Sequence, residues 1–182
     1  KGIVYCLLDP KYNGYFLYDD TGYIYIHAPN VDINVGDLLV VSGKLSHDAT
    51  ISNVVNVEFV SADNQIKVPV NTDLEALYQL EDEFSNYYKY FAARGVLEEV
   101  DDEYLLYDYF SNTEILVDYK SFDFDSLSEY EKKYIEVEFA YDLLNSRLII
   151  VDVEEIEDAA SQIALLKESI IKRYELYYES GS

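Results

Sequence analysis

Nucleophilic and general-base chemistry near neutral pH calls first on histidine and cysteine, and this chain has His27, His47 and Cys6. Neither histidine stands at a diagnostic spacing from a nucleophile or a metal-ligating partner. Cys6 falls in a stretch that reads as buried strand, where a thiol is usually inert. The sequence contains no phosphate-binding P-loop, no dinucleotide glycine fingerprint and no Gly-x-Ser-x-Gly elbow. The expectation is a protein that is not an enzyme, with no catalytic residue, no metal site and no cofactor.

Carboxylates are abundant. Glu98, Glu99, Asp101, Asp102 and Glu103 sit on an expected hairpin and offer the several oxygen ligands calcium favours, but without EF-hand spacing they read as a solvated turn. Asp19 with Asp20 and Asp123 with Asp125 repeat the question with fewer ligands. The more specific signal is aromatic. If Ile24 and Ile26 point into a barrel, strand alternation sends Tyr23, Tyr25 and His27 outward; with Tyr15 and Leu17 inward, Phe16 and Tyr18 also face out. The set Phe16, Tyr18, Tyr23, Tyr25 and His27 is the candidate ligand-binding face, suited to stacking on nucleobases or sugar rings. The same face equally suits packing under a second domain, a helix or a partner chain.

Charge limits the ligand. Lys/Arg number 4 against 8 Asp/Glu over residues 1–70, and 9 against 28 over 71–182, for a net charge of −23. Affinity for a phosphate backbone comes largely from cations that displace counterions, so the second part is a poor nucleic-acid surface. In the first part Lys11 and Lys44 are the cations expected within reach of the aromatic face. Weak binding of single-stranded nucleic acid or a glycan through the first part, or docking of a protein partner, is the expected range.

The elements that must position these residues are mostly strands. Gly2–Leu8, Tyr15–Tyr18, Tyr23–His27, Leu38–Leu45 and Ile51–Val60 alternate with turn formers, which makes five strands over 1–70. Thr72 with Glu75 suggests a capping box for a linking helix within 71–86, whose Leu74, Leu77, Tyr78, Leu80 and Phe84 have helical spacing. The strand pattern then restarts over 87–157: Gly95-Val96-Leu97 echoes Gly2-Ile3-Val4, and Tyr104-Leu105-Leu106-Tyr107-Asp108 echoes Tyr15-Phe16-Leu17-Tyr18-Asp19. Ser126 to Glu129 offers a second capping box ahead of the fourth strand of that copy. Over 158–182, Ile163, Leu166, Ile170, Tyr174 and Tyr177 form a helical stripe expected to pack on the second copy or to begin a coiled coil. No apolar run approaches the ~18 residues of a membrane span.

The strings Gly14 to Ile26 and Val35-Gly36-Asp37-Leu38-Leu39-Val40-Val41-Ser42-Gly43 resemble OB-fold domains repeated in extracellular proteins of low-GC Gram-positive bacteria, where they often precede endonuclease/exonuclease/phosphatase-type domains. The resemblance covers roughly residues 1–157 and is weaker in the second copy, where Tyr130-Glu131-Lys132-Lys133 replaces Val-Gly-Asp. It implies a mainly β chain of two tandem five-stranded OB-fold barrels with a linking and a C-terminal helix. It also implies an accessory binding module of a larger bacterial protein, with a protein-interaction or spacer module as the alternative. The sequence starts at Lys1 with no methionine, so its native N-terminus is expected to lie ahead of it, where a signal peptide or lipid anchor could have been removed; one cysteine is compatible with a cytosol or with cysteine-poor Gram-positive surface proteins, and an extracellular or cell-surface location is the expectation.

Overall fold

The computed structural model describes residues 1–119 and 127–181. Strands β1 (Gly2–Leu7), β2 (Tyr15–Asp19), β3 (Gly22–Ile26), β4 (Leu38–Leu45) and β5 (Thr50–Ser61) close a barrel in the order β1-β2-β3-β5-β4. All pairs are antiparallel except β3 with β5, where Tyr25 and Ile26 lie beside Thr50 and Ile51 in parallel. This is the Greek-key order of an OB-fold. Val4, Tyr15, Leu17, Ile26 and Leu39 fill it, as their alternation requires.

The second sheet repeats that order. Strands β7 (Tyr90–Val100), β8 (Glu103–Asp108), β9 (Thr113–Asp118), β10 (Tyr134–Asp142) and β11 (Arg147–Glu155) follow one another as β7-β8-β9-β11-β10. β10 returns to β7, β11 runs parallel to β9, and the two-residue β6 (Val70–Asn71) adds to the edge of β7. The equivalence extends to single contacts. A Cβ on Gly2 would lie 2.7 Å from the Tyr18 carbonyl oxygen, and one on Gly95 2.5 Å from that of Tyr107, so both first strands need glycine where the second strand crosses closely.

The linking helix is shorter than its apolar spacing suggests. α1 covers Leu74–Tyr78 only and is capped by Asp73, whose carboxylate accepts from the Ala76 amide at 2.8 Å, rather than by Thr72. Glu81, Asp82 and Glu83 follow, and carboxylates at the negative end of the helix dipole oppose its extension; a 3₁₀ turn, Phe84–Asn86, leads into β7. Leu74 and Leu77 are buried in the core of the second ring, with Leu80 packed beside them. The candidate cap at Ser126 and the pair Asp123 and Asp125 lie outside the described residues.

The C-terminal helix α2 (Ala159–Ser180) opens with Asp158 and Ser161 in a reciprocal capping box. It docks through Ser161, Ala164 and Glu168, with Ala164 against Val96 and Tyr134. The stripe Ile163, Leu166, Ile170, Tyr174 and Tyr177 faces away and is exposed throughout. An ion pair selects the docked face: Lys172 Nζ donates to Glu98 at 2.8 Å and also lies 2.8 Å from Glu168, two carboxylates that are themselves 8% and 9% exposed. The two faces of α2 are thus divided between an electrostatic anchor and an unpartnered apolar stripe.

Two substitutions test this account. Leu77→Asp should cost at least about 4 kcal/mol in chemical denaturation, from lost burial and an unpaired buried charge. Lys172→Met should leave two buried carboxylates facing each other; the loss, on the order of 2 kcal/mol because the lysine is itself half exposed, should appear as faster amide exchange confined to α2 and its contacts.

Candidate ligand-binding face

The outward assignment of the aromatic set is correct, but the face is not open. Phe16 is 1% exposed, Tyr23 5% and Tyr18 9%, because Tyr87, Tyr88, Tyr90, Ala140 and Ile149 of the second ring pack on them. Covering this much aromatic surface with a second apolar surface removes it from water, a larger gain than single exposed rings provide. The five candidate residues therefore do not form one stacking platform. Tyr25 is half-buried with its ring stacked on Phe16 at 5.0 Å, and His27 is exposed at the rim. The Tyr25 hydroxyl donates to the Asn13 carbonyl at 3.0 Å and lies 3.1 Å from His27 Nδ1.

The organising residue of the face is Tyr5, which alternation alone does not single out. Pairing of β1 with β2 slips between Val4 and Cys6, a bulge that turns Tyr5 and Cys6 both outward while Val4 and Leu7 stay with the barrel interior. The Tyr5 ring lies 5.8 Å from Tyr23, 5.9 Å from Tyr18, 6.0 Å from Phe16 and 5.2 Å from Tyr90. Its hydroxyl donates to the Tyr88 carbonyl at 2.5 Å. Tyr88 has a left-handed φ of 54°, unusual for an aromatic residue, and its amide is tied to the Tyr141 carbonyl at 2.9 Å. That backbone turn sets its ring 5.3 Å from Phe16 and 5.7 Å from Tyr25.

The electrostatics keep these phenols neutral. Burial raises Tyr5 well above its ordinary value and takes Tyr88 to about 12. Burial, then the Glu138 carboxylate that accepts from the Tyr90 hydroxyl at 2.7 Å, raises Tyr90 as well. The cation beside the face is Lys67, rather than Lys11 or Lys44: its Nζ sits 4.2 Å from the Tyr23 ring and 4.7 Å from that of Tyr18. Its amide donates to the Tyr18 hydroxyl at 2.9 Å, so the segment after β5 closes the edge of the cluster.

The equivalent face of the second ring has Leu105 opposite Leu116 where the first has Phe16 and Tyr25, and a carboxylate, Glu114, in the place of Tyr23. Tyr107 stands opposite Glu114, and burial followed by that carboxylate raises its hydroxyl to about 12. The acidic hairpin divides its duties: Glu98 is buried against α2, while Asp101 and Asp102, with φ of 52° and 63°, make the two-residue turn that both left-handed positions favour. Asp19 accepts from the Thr21 amide and hydroxyl at 2.7 and 2.6 Å, which lowers its pKa although burial opposes the shift. Among the described residues no three His, Cys, Asp or Glu side chains gather in a metal-binding group.

If the contact between the rings is this cluster, Phe16→Ala should cost about 3–5 kcal/mol. Differential scanning calorimetry should then resolve two transitions, as the first barrel melts ahead of the second ring.

No protein-family model matches the chain, and no curated protein matches it in sequence. Among solved structures it is similar to a chain in the crystal structure of yeast Stn1 and Ten1, at 13% identity and a TM-score of 0.35, over 60% of this chain and 75% of that one.

Proposed function

We propose that the chain is a non-catalytic interaction module of a larger bacterial surface protein, and that its partners are proteins rather than nucleic acids or glycans. The observation that carries this reading is the burial of Phe16, Tyr18 and Tyr23 between the two rings. A stacking ligand would have to displace Tyr88 and Tyr90, and only Tyr25 and His27 at the rim remain available to one.

Charge supports the same reading, since the chain carries a net −23, concentrated in its second part, which opposes the approach of a phosphate backbone. Apolar surface remains elsewhere: on α2, Leu166, Tyr174 and Tyr177 are 62%, 62% and 75% exposed, a contiguous stripe of the kind that marks protein-binding surfaces. An origin by duplication, with barrels over 1–70 and 87–157, a linker over 71–86 and the helical tail from 158, accounts for the two rings of equal strand order. The likeness of the first copy to repeated extracellular OB-fold domains supports a place outside a Gram-positive cell, beside a domain that carries the chemistry.

Fluorescence anisotropy with a short labelled single-stranded oligonucleotide at physiological salt should show no saturable binding. Tyr25→Ala should leave that result unchanged. Tight binding that resists salt would contradict the proposal.

A further inference from the structure

The outer faces of the two rings are covered in different ways. Glu98 stands three residues after Gly95 as Tyr5 stands three after Gly2, so a carboxylate takes the place of the ring that organises the seam. What covers it is α2. Among the described residues of that helix only Ser161, Ala164 and Glu168 are buried, with Ala164 against Val96 and Tyr134. Packing is incomplete beyond that point: a cavity of about 190 Å³ lies between helix and sheet, walled by Val100, Tyr107, Tyr109, Ile171 and Glu175. Unfilled space of this kind forfeits dispersion contacts on both of its sides.

Charge dominates the rest of the contact. Lys172 Nζ lies 2.8 and 3.0 Å from the two oxygens of Glu98 and 2.8 Å from Glu168. One ammonium group thus meets two nearly buried carboxylates, and with both ionised the bridge keeps a net negative charge that burial makes costly. Of the other groups facing it, Tyr109, whose hydroxyl is 3.5 Å from Glu98, and Tyr107 are neutral phenols. Lys132, in the turn before β10, favours ionised Glu98, and Glu175 adds a carboxylate at the wall of the cavity.

We propose that α2 is a releasable strap on the outer face of the second ring, latched by a proton shared between Glu98 and Glu168 and loosened when both carboxylates are ionised. Two carboxylates at one ammonium group hold a proton more firmly than either would alone. Burial, then the neighbouring Glu98 carboxylate, raises the pKa of Glu168; at Glu98 burial acts the same way, but hydrogen bonds from Glu168 and Lys172 prevail and lower it. Glu168, raised on folding, stabilises the docked state below its ordinary value, and that contribution is lost as pH rises through the raised one. Glu98, lowered on folding, contributes above its ordinary value and loses that contribution as pH falls through the lowered one. Docking is therefore tightest in the ordinary glutamate range and loosens toward neutral and alkaline pH. Release bares Val96, Tyr109 and Tyr134. The use of that patch by a protein partner rests on the reading of the chain as an interaction module, whereas the docking equilibrium does not.

Hydrogen exchange of the full chain followed by NMR tests the strap, with rates expressed as protection factors to remove the chemical pH dependence of exchange. An undocked helix of this length frays in water, so release is read as lost protection. The amides of residues 164–172 should lose at least about threefold in protection between about pH 5 and about pH 8, with β10 and β11 unchanged. Glu168→Gln keeps a donor for Glu98 and an acceptor for Lys172 without the second charge, so its protection should stay level over the same range. Equal protection of the natural chain at both pH values would overturn the proposal, as would an equal fall in Glu168→Gln. A fall shared by β10 and β11 would also overturn it, by showing that the whole ring opens. Saturable oligonucleotide binding would overturn the broader functional reading while leaving the exchange result independent.

Discussion

The contact on which the rest depends is the aromatic seam between the rings, centred on Tyr5. A small five-stranded barrel buries little apolar area by itself, and its interior is filled by a few residues such as Val4, Tyr15 and Leu39. The rings of Phe16, Tyr18 and Tyr23 sit on the wrong side of the sheet to join that interior. Packed against Tyr88, Tyr90 and Ile149 they become a second core shared by both halves of the chain. Each buried ring removes on the order of 150–250 Å² from water. The polar ends are accommodated too: Tyr5 reaches the Tyr88 carbonyl and Tyr90 reaches Glu138. The face an OB-fold commonly offers to a ligand is thereby spent on internal architecture, and the proposed docking of protein partners falls to other surfaces.

Charge arrangement complements this division. The surplus carboxylates lie mostly in the second part, where a few cations act as pins: Lys172 joins Glu98 to Glu168, Arg94 meets Glu136 at 2.8 Å, and Lys133 meets Glu155 at 3.2 Å. The first pin lies on the side of α2 that meets the sheet, beside Ala164 packed on Val96 and Tyr134. Once that side is docked, the ammonium group is what keeps two nearly buried carboxylates from being left unpaired.

Much of this was legible in the sequence. Period-two alternation placed Tyr15, Leu17 and Ile26 inside and Phe16, Tyr18 and Tyr23 outside, and the Tyr-x-Leu-Tyr-Asp echo marked the two rings of equal strand order. Three features were not legible, each for a physical reason. The bulge at Tyr5 and Cys6 is a matter of register between two strands and leaves no local composition signal. The left-handed turn at Tyr88 arises from tertiary ties to Tyr5 and Tyr141, against the residue's own preference. The side on which α2 docks follows from a contact 74 residues apart in sequence, Glu98 with Lys172, which outweighs the apolar stripe that periodicity highlights. Spacing could say that Phe16 and its neighbours point outward; it could not say what covers them.

That covering is the central claim, and hydroxyl-radical footprinting read by mass spectrometry addresses it residue by residue. Side chains sealed in the seam should resist oxidation in the native protein: Tyr5, Phe16, Tyr18, Tyr23 and Tyr90 should react far more slowly than Tyr174, Tyr177 and Tyr178, which lie on the open side of α2. Oxidation of Phe16, Tyr18 and Tyr23 at the rate of the helix tyrosines would contradict the account, because it would show the face of the first barrel open to solvent and free to bind.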